Sequence, residues 1–350
     1  MSHLTFAEAM VVGLVQGVTE LFPISSLGHN VLIPAWVGGS WARDLNVSRA
    51  ESPYLAFIVG MHVATAIAMI IYFWRDWVRI IGGFFTSLRH RRIETPDQRL
   101  AWMIIVATIP VGIAGLALEH LFRVVFAKPI VTSVFLAVNG LVLFGGWRLS
   151  RREAPRSAQP TEPLAGAPQA APAGHRAGYV TADGASAGGT EPAGQFTGQH
   201  SGGRRALRQQ EADDAIETDR RLASIGYVQA FVLGAIQVFA LLPGISRDGV
   251  VMVGGMLRGL PLRDAARFSF LLSAPVILAA GALKIPDLAG TLGNGVRGQI
   301  LAGSVLSGVG AYFALVLFMR WVRKSSGALL PFAVYCFLVG IGSLIYLSVR

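Results

Sequence analysis

Long apolar stretches separated by short polar segments dominate the chain. A helix needs roughly 20 apolar residues to cross the ~30 Å hydrocarbon core of a membrane. Stretches that approach this length predict six spanning helices, at 55–74, 100–118, 130–148, 266–284, 299–319 and 331–348. The pattern therefore predicts an all-α integral membrane protein.

Two further apolar stretches, 4–38 and 225–258, are interrupted by Pro23 and by Pro243-Gly244. Each is predicted to form a re-entrant hairpin, in which two half-helices meet at a turn. Lipid cannot satisfy the backbone groups of such a turn, so the turn must lie inside the protein or face a water-filled cavity. The alternative is that each stretch forms one kinked spanning helix.

The order of these segments predicts two membrane repeats, 1–150 and 224–350, each a hairpin followed by three spans. Because three crossings is an odd number, the second repeat is expected to insert upside down relative to the first. The segment between them, 151–223, is rich in Ala, Gly, Pro and Ser. It is predicted to be a disordered cytoplasmic linker that ends in a short charged helix at 202–221.

The distribution of arginine predicts the topology. Arginine is concentrated in 75–99, 149–223 and 320–330, and it is sparse in 119–129 and 285–298. The positive-inside rule places the three arginine-rich loops in the cytoplasm. Both termini are then expected outside, with the first hairpin entering from the outer face and the second from the inner face.

Composition agrees with a membrane protein and narrows the classes of partner. Charged residues make up 14% of the chain and hydrophobic residues 53%, whereas a soluble domain has roughly 25% charged residues. The net charge of +10 comes largely from arginines beside apolar stretches, so it indicates topology and no nucleic-acid partner. The one cysteine, Cys336, excludes an internal disulfide and a thiolate metal cluster.

A polar motif at the first helix break returns at the second. Gln16 precedes Ser25 by nine positions, and Gln237 precedes Ser246 by nine. Two copies that each place polar side chains at a break in an apolar stretch predict one site built between the two halves.

Glu20 is the side chain of the first copy that most needs a partner. A carboxylate at membrane depth costs roughly 2.5–3.5 kcal/mol, and Gln16 lies one turn before it on the same helix face. Their oxygens predict a site for a divalent cation, Mg²⁺ or Ca²⁺. The alternative is a neutral Glu20 that is hydrogen-bonded to the backbone at the break.

Ser25, Ser26 and His29 follow the first break. If a half-helix begins here, its free N–H groups form an anion site. Ser26 and His29 are neighbours on one helix face, which predicts a nucleophile paired with a base. The sequence does not choose between attack by Ser26, attack by water that His29 activates, and attack by His29 itself. The alternative is that a serine only caps the helix.

Arg247 stands at the predicted start of the second broken half-helix. Its planar guanidinium matches phosphate oxygens, so together with Ser246 and the local N–H groups it predicts a phosphate cradle. The alternative is a structural ion pair with Asp248 or Glu20. His62, inside a predicted span, either lines the site or only packs.

Three segments, 16–29, 243–249 and 268–275, together resemble the bacterial undecaprenyl-diphosphate phosphatase family, the bacitracin-resistance proteins. The resemblance covers both apolar halves of the chain. It implies a plasma-membrane phosphatase that converts undecaprenyl diphosphate to the monophosphate carrier lipid at an outward-facing site. Such an enzyme recycles the carrier for cell-wall synthesis and confers resistance to bacitracin.

The resemblance also implies roles for single residues and departures from the family pattern. The departures are Leu27, Asp248 and Val251, which stand where the family commonly has hydroxyl side chains. The implied catalytic residues are Glu20, Ser26, His29 and Arg247. The implied substrate-binding residues are Ser25, Gly244, Ser246, Asp248 and Gly249. The implied metal ligands are Gln16 and Glu20.

Undecaprenyl diphosphate and membrane lipid are the expected partners, and formation of a homodimer is left open. A lipid transporter or flippase of the same fold is the alternative function. Inverted repeats with broken helices are also transporter architecture, and a fold does not by itself determine function.

Overall fold

The computed structural model of the chain describes residues 4–45, 53–121, 126, 128–153, 217–289 and 295–349, and contains no strand among them. Residues before 155 and after 217 belong to one compact unit. Most of the predicted linker, including the 202–216 part of its predicted charged helix, lies outside the described residues.

Helices form nearly all of the regular structure. A short 3-10 helix, Gln237–Leu241, continues directly from α9. The α-helices are α1 Phe6–Leu21, α2 Ser26–Val37, α3 Gly39–Asp44, α4 Pro53–Tyr72, α5 Trp74–His90, α6 Pro96–Leu121, α7 Pro129–Glu153, α8 Glu217–Ser224, α9 Tyr227–Ile236, α10 Arg247–Leu257, α11 Leu262–Ala289, α12 Arg297–Lys324 and α13 Leu330–Val349.

Five helices in the described ranges are long and apolar enough to cross a membrane: α6, α7, α11, α12 and α13. Two bent pairs, α4 with α5 and α8 with α9, each turn by 87° and raise the number to seven if each pair is one span. The prediction of an all-α integral membrane protein is therefore confirmed. The predicted span 55–74 falls in α4, which qualifies only together with α5.

The expectation that 75–99 is a loop is wrong for its first part, because 74–90 forms α5. The arginines of this segment alternate with apolar and small residues at helical spacing. Ile80, Gly83 and Ser87 recur every three or four positions and are buried on one face. Counting charges alone missed this amphipathic helix.

Both predicted breaks occur where proline interrupts an apolar stretch. The residue before a proline is pushed out of the helical region, and Phe22 and Leu242 are both extended, with ψ of 146° and 118°. Helix α1 therefore ends before Pro23, and the 3-10 helix ends before Pro243. New helices begin at Ser26 and Arg247.

Small residues let each first half-helix approach a span of the other half. In α1, Gly17 lies against the backbone of Ser307 in α12. In α9, Gly234 lies against the backbone of Ala107 in α6. Close backbone approach through small residues is the usual way in which membrane helices pack, and here it brings the two breaks toward each other.

Ion pairs join α5, α8 and α11 near the arginine-rich segment. Arg79 donates to Asp219 at 2.6 Å, and Arg267 donates to Asp76 at 2.7 Å. Arg267 is buried, with 8% of its surface exposed, and it is held in this network by its ion pair with Asp76.

Candidate active site

Hydrogen bonds across the two helix breaks hold the two motif copies together. Ser25 Oγ accepts from the backbone N–H of Gly244 at 3.1 Å. Asn139, from α7, donates to the carbonyl of Pro23 and accepts from the N–H of Ser246, both at 3.0 Å. The two motifs therefore meet as predicted, through hydrogen bonds to backbone groups at both breaks.

The backbone at the breaks is unusual in both copies. Ser25 has φ +65° and Gly244 has φ +110°. A Cβ at position 244 would lie 2.6 Å from the carbonyl oxygen of Thr132 in α7, so a glycine is required there. Positive φ at a non-glycine residue stores strain and is found most often at functional sites.

Replacing Asn139 with leucine is expected to lower the free energy of unfolding by about 2–4 kcal/mol. The change leaves the Ser246 N–H without its partner and the Pro23 carbonyl with only a weak contact from Cys336 Sγ at 4.0 Å, at roughly 1–3 kcal/mol for each lost bond. Chemical or thermal unfolding in detergent measures the effect. Ser133→Ala on the same helix is the matched control, since among the described residues the Ser133 hydroxyl donates only to Pro129 of its own helix. Equal stability of the two variants would contradict this role of Asn139.

Glu20 is the centre of the polar cluster, with 8% of its surface exposed. Its Oε1 accepts from Arg247 Nη2 at 2.6 Å, and its Oε2 accepts from Gln16 Nε2 at 3.0 Å and from the Ser26 hydroxyl. His62 Nε2 lies 3.4 Å from Oε2. The carboxylate therefore joins both motif copies, and the ion-pair alternative for Arg247 holds in this state.

Gln16 does not present its oxygen beside Glu20. Its amide nitrogen points at the carboxylate, and its Oε1 accepts from Asn30 Nδ2 at 2.5 Å. No group of three or more His, Cys, Asp or Glu side chains in the described ranges is arranged to hold a metal. In this arrangement the Gln16 oxygen is turned toward Asn30, and both oxygens of Glu20 accept hydrogen bonds.

Ser26 and His29 make separate contacts. The Ser26 hydroxyl donates to Glu20, whereas the ring nitrogens of His29 lie 2.8 Å from the Ser25 carbonyl and 2.8 Å from the Tyr335 hydroxyl. The His29 and Tyr335 rings are also stacked. The predicted hydrogen-bonded pair of Ser26 and His29 is not brought together, because α2 turns the imidazole toward α13.

The start of α10 carries the second copy. Ser246 caps this helix by accepting from the N–H of Gly249 at 3.1 Å. The Asp248 Oδ1 accepts from the hydroxyls of Ser269 and Ser273 at 2.7 and 2.6 Å. Asp248 thus ties α10 to α11, which is a structural use for this carboxylate.

One cavity of about 620 Å³ is lined by several of these side chains. Its polar end includes Glu20, Ser26, His62 and Arg247. Further lining residues come from α4 and the second break, and a large part of the wall comes from small and aliphatic side chains of α6 and α11: Val111, Gly112, Gly115, Leu116, Val276, Ile277, Ala279, Ala280, Gly281 and Leu283. A polar end beside a long apolar wall suits an amphiphile with an anionic head group.

The family model for "Bacitracin resistance protein BacA" matches residues 9–171 and 204–342 of the chain. The chain belongs to the BacA family. Two relatives match the sequence of this chain over almost the full length of both proteins. An undecaprenyl-diphosphatase of Mycolicibacterium paratuberculosis is 50% identical over 100% of this chain and 99% of its own. An undecaprenyl-diphosphatase 2 of Frankia alni is 47% identical over 97% of each chain.

Several polar residues of this BacA-family site were not singled out from the sequence. Asn30, Asn139, Ser273 and Tyr335 contact the predicted residues. Asn139 could have been found as an amide inside an otherwise apolar span. His62 was left between lining and packing, and the structure places it on the cavity wall beside Glu20.

Proposed function

We propose that this protein is a membrane phosphatase that hydrolyses undecaprenyl diphosphate to undecaprenyl phosphate and inorganic phosphate. The observation that carries the proposal is the cavity that joins Arg247, Ser26 and Glu20 at one end to an apolar wall at the other. The names of the relatives supply the substrate. The product is the carrier lipid of cell-wall synthesis, and its regeneration accounts for the family's link to bacitracin resistance.

Ser26 is the proposed nucleophile. Its oxygen attacks the terminal phosphorus, the bond from that phosphorus to the bridging oxygen breaks, and undecaprenyl phosphate leaves. The serine proton moves to Glu20, which already accepts a hydrogen bond from the Ser26 hydroxyl. Glu20 then passes this proton to solvent. Water attacks the phosphoserine, and its two protons end on the restored Ser26 hydroxyl and on the released phosphate.

Arg247 is the proposed ligand of the transferring phosphoryl group. In the free protein its guanidinium is paired with Glu20 at 2.6 Å. A diphosphate in the cavity competes for this guanidinium, which stabilises the charge that develops on the phosphoryl oxygens. The same exchange frees Oε1 of Glu20, while Oε2 keeps its hydrogen bond from the Ser26 hydroxyl and is the oxygen that accepts the serine proton.

A divalent cation is proposed to arrive with the diphosphate and to use Glu20 as its protein ligand. Mg²⁺ is usually bound by one or two carboxylates together with substrate phosphates and water. When bound, it would neutralise charge on the phosphoryl oxygens. His29 is proposed as a positioning residue, since it connects the Ser25 turn to Tyr335 of α13.

The proposed architecture is an inverted repeat in the bacterial plasma membrane, with six spans, two re-entrant hairpins and an outward-facing site. The packing supports the inverted repeat, because the first half-helix of each repeat contacts the second span of the other repeat. Helix α1 contacts α12, and α9 contacts α6. The pair of Arg79 and Asp219 supports placing α5 and the end of the linker on one side.

Release of inorganic phosphate from undecaprenyl diphosphate by the purified protein tests the function. We expect release with Mg²⁺ or Ca²⁺ present and a matching gain of undecaprenyl phosphate. Movement of the lipid between the leaflets of a vesicle without release of phosphate would instead identify a transporter and would overturn the proposal.

A further inference from the structure

Gln237 is a buried amide without a partner on the wall of the cavity. It lies in the 3-10 helix that follows α9, and its side chain is fully buried. Neither its Nε2 nor its Oε1 has a hydrogen-bond partner among the described residues. Buried polar groups are nearly always hydrogen-bonded, and an exception calls for an explanation such as a missing ligand.

The first motif copy shows what satisfies a glutamine at this position. Gln16 bonds to Glu20, four residues later, and to Asn30, fourteen residues later, and its Nε2 also lies 3.2 Å from His62 Nε2. The positions after Gln237 that correspond to Glu20 and Asn30 hold Leu241 and Val251. Neither side chain can form a hydrogen bond, so the second copy contains the amide but lacks these two partners.

Gln237 also lies between the two chemically different parts of the cavity. The 3-10 helix contacts α10, which carries Arg247, and α6, which supplies apolar wall residues such as Val111. Arg247 Nε is a second buried donor without a partner in the part of the chain that the structure describes. Two unused donors therefore belong to residues that line the cavity, one on the 3-10 helix and one at the start of α10.

We propose that Gln237 is a substrate-binding residue whose amide N–H donates to the lipid-linked phosphate of the diphosphate. That phosphate joins the head group to the prenyl chain, so it belongs at the junction of the polar end and the apolar wall. The amide Oε1 accepts from water or from a protonated phosphate oxygen. This inference rests on the proposed function and extends it from the transferred phosphate to the phosphate that remains on the lipid.

Gln237→Met tests the proposal, because methionine has a similar volume and no amide. The matched control is Gln98→Met. The Gln98 amide is satisfied by the backbone N–H groups of Glu94 and Thr95 and by the hydroxyl of Thr86, away from the cavity. The measurements are the midpoint of thermal unfolding in detergent, kcat and KM for undecaprenyl diphosphate, and the stabilisation given by added undecaprenyl phosphate.

We expect Gln237→Met to keep or raise the unfolding midpoint, because it removes an unsatisfied buried group. Its KM should rise about tenfold with kcat changed less than about threefold, since a hydrogen bond to a charged phosphate is lost. Stabilisation by undecaprenyl phosphate should fall in parallel. Gln98→Met should show the opposite pattern, a lower midpoint and an unchanged KM.

An unchanged KM in Gln237→Met, or a midpoint lowered as in Gln98→Met, would overturn the assignment. If the wild-type protein releases no phosphate, the proposed function fails separately. The proposed role of Gln237 is then tested by ligand binding alone. Equal stabilisation of wild type and Gln237→Met by undecaprenyl diphosphate overturns that role, and weaker stabilisation of the variant supports it.

Discussion

Replacing Arg247 with alanine is expected to lower kcat/KM for undecaprenyl diphosphate by about 10³-fold or more. Removing a preorganised group that stabilises developing charge typically has an effect of this size. Arg247→Lys keeps the charge but loses the planar fork, so it should retain an intermediate activity. Steady-state phosphate release measures all three proteins.

The Arg247→Ala variant should also be less stable, because Glu20 then remains buried without its 2.6 Å partner. Breaking a buried ion pair from one side costs about 3 kcal/mol. The double variant Glu20→Gln with Arg247→Ala removes both charges and should recover much of the stability but none of the activity. Full activity in the folded Arg247→Ala variant would contradict the phosphate-binding role.

Replacing Ser26 with alanine is expected to lower kcat by about 10³-fold or more while the protein stays folded. The hydroxyl is the proposed nucleophile, and loss of a nucleophile removes the route through a covalent intermediate. An acid quench of the wild type during turnover of substrate labelled at the terminal phosphate should give labelled protein, with the label on Ser26 after peptide mapping.

Ser25→Ala is the informative comparison for Ser26. Ser25 bonds to the N–H groups of Gly28 and Gly244 and therefore holds the turn. Its loss should lower stability by about 1 kcal/mol and weaken activity less than the loss of Ser26. Label on His29, or activity within tenfold of wild type in Ser26→Ala, would point to attack by His29 or by water instead.

The breaks and the polar cluster were largely predictable from the sequence. Proline in an apolar stretch has only a few structural solutions, and a carboxylate such as Glu20 at membrane depth requires a partner. The sequence did not decide which residue is the partner of Glu20. Both phosphate binding and an ion pair with Glu20 suited Arg247, and the free protein contains the ion pair.

The direction of side chains was the part that spacing predicted poorly. Ser26 and His29 are neighbours on one helix, yet the start of α2 turns one toward Glu20 and the other toward Tyr335. Gln16 and Glu20 are also neighbours, and their contact is a hydrogen bond rather than a pair of metal ligands. Helical spacing predicts which residues share a face, but the packing of other helices decides what each side chain contacts.

The sequence by itself determined the membrane class, the two helix breaks and the repeated motif, because these depend on local hydrophobicity and on the backbone chemistry of proline. The tertiary structure decided which groups were satisfied. Asn139 joins the two turns, His62 lies beside Glu20, and Gln237 is without a partner in the described chain. These facts depend on contacts between residues far apart in sequence, where a hydrogen bond needs positions correct to a few tenths of an ångström.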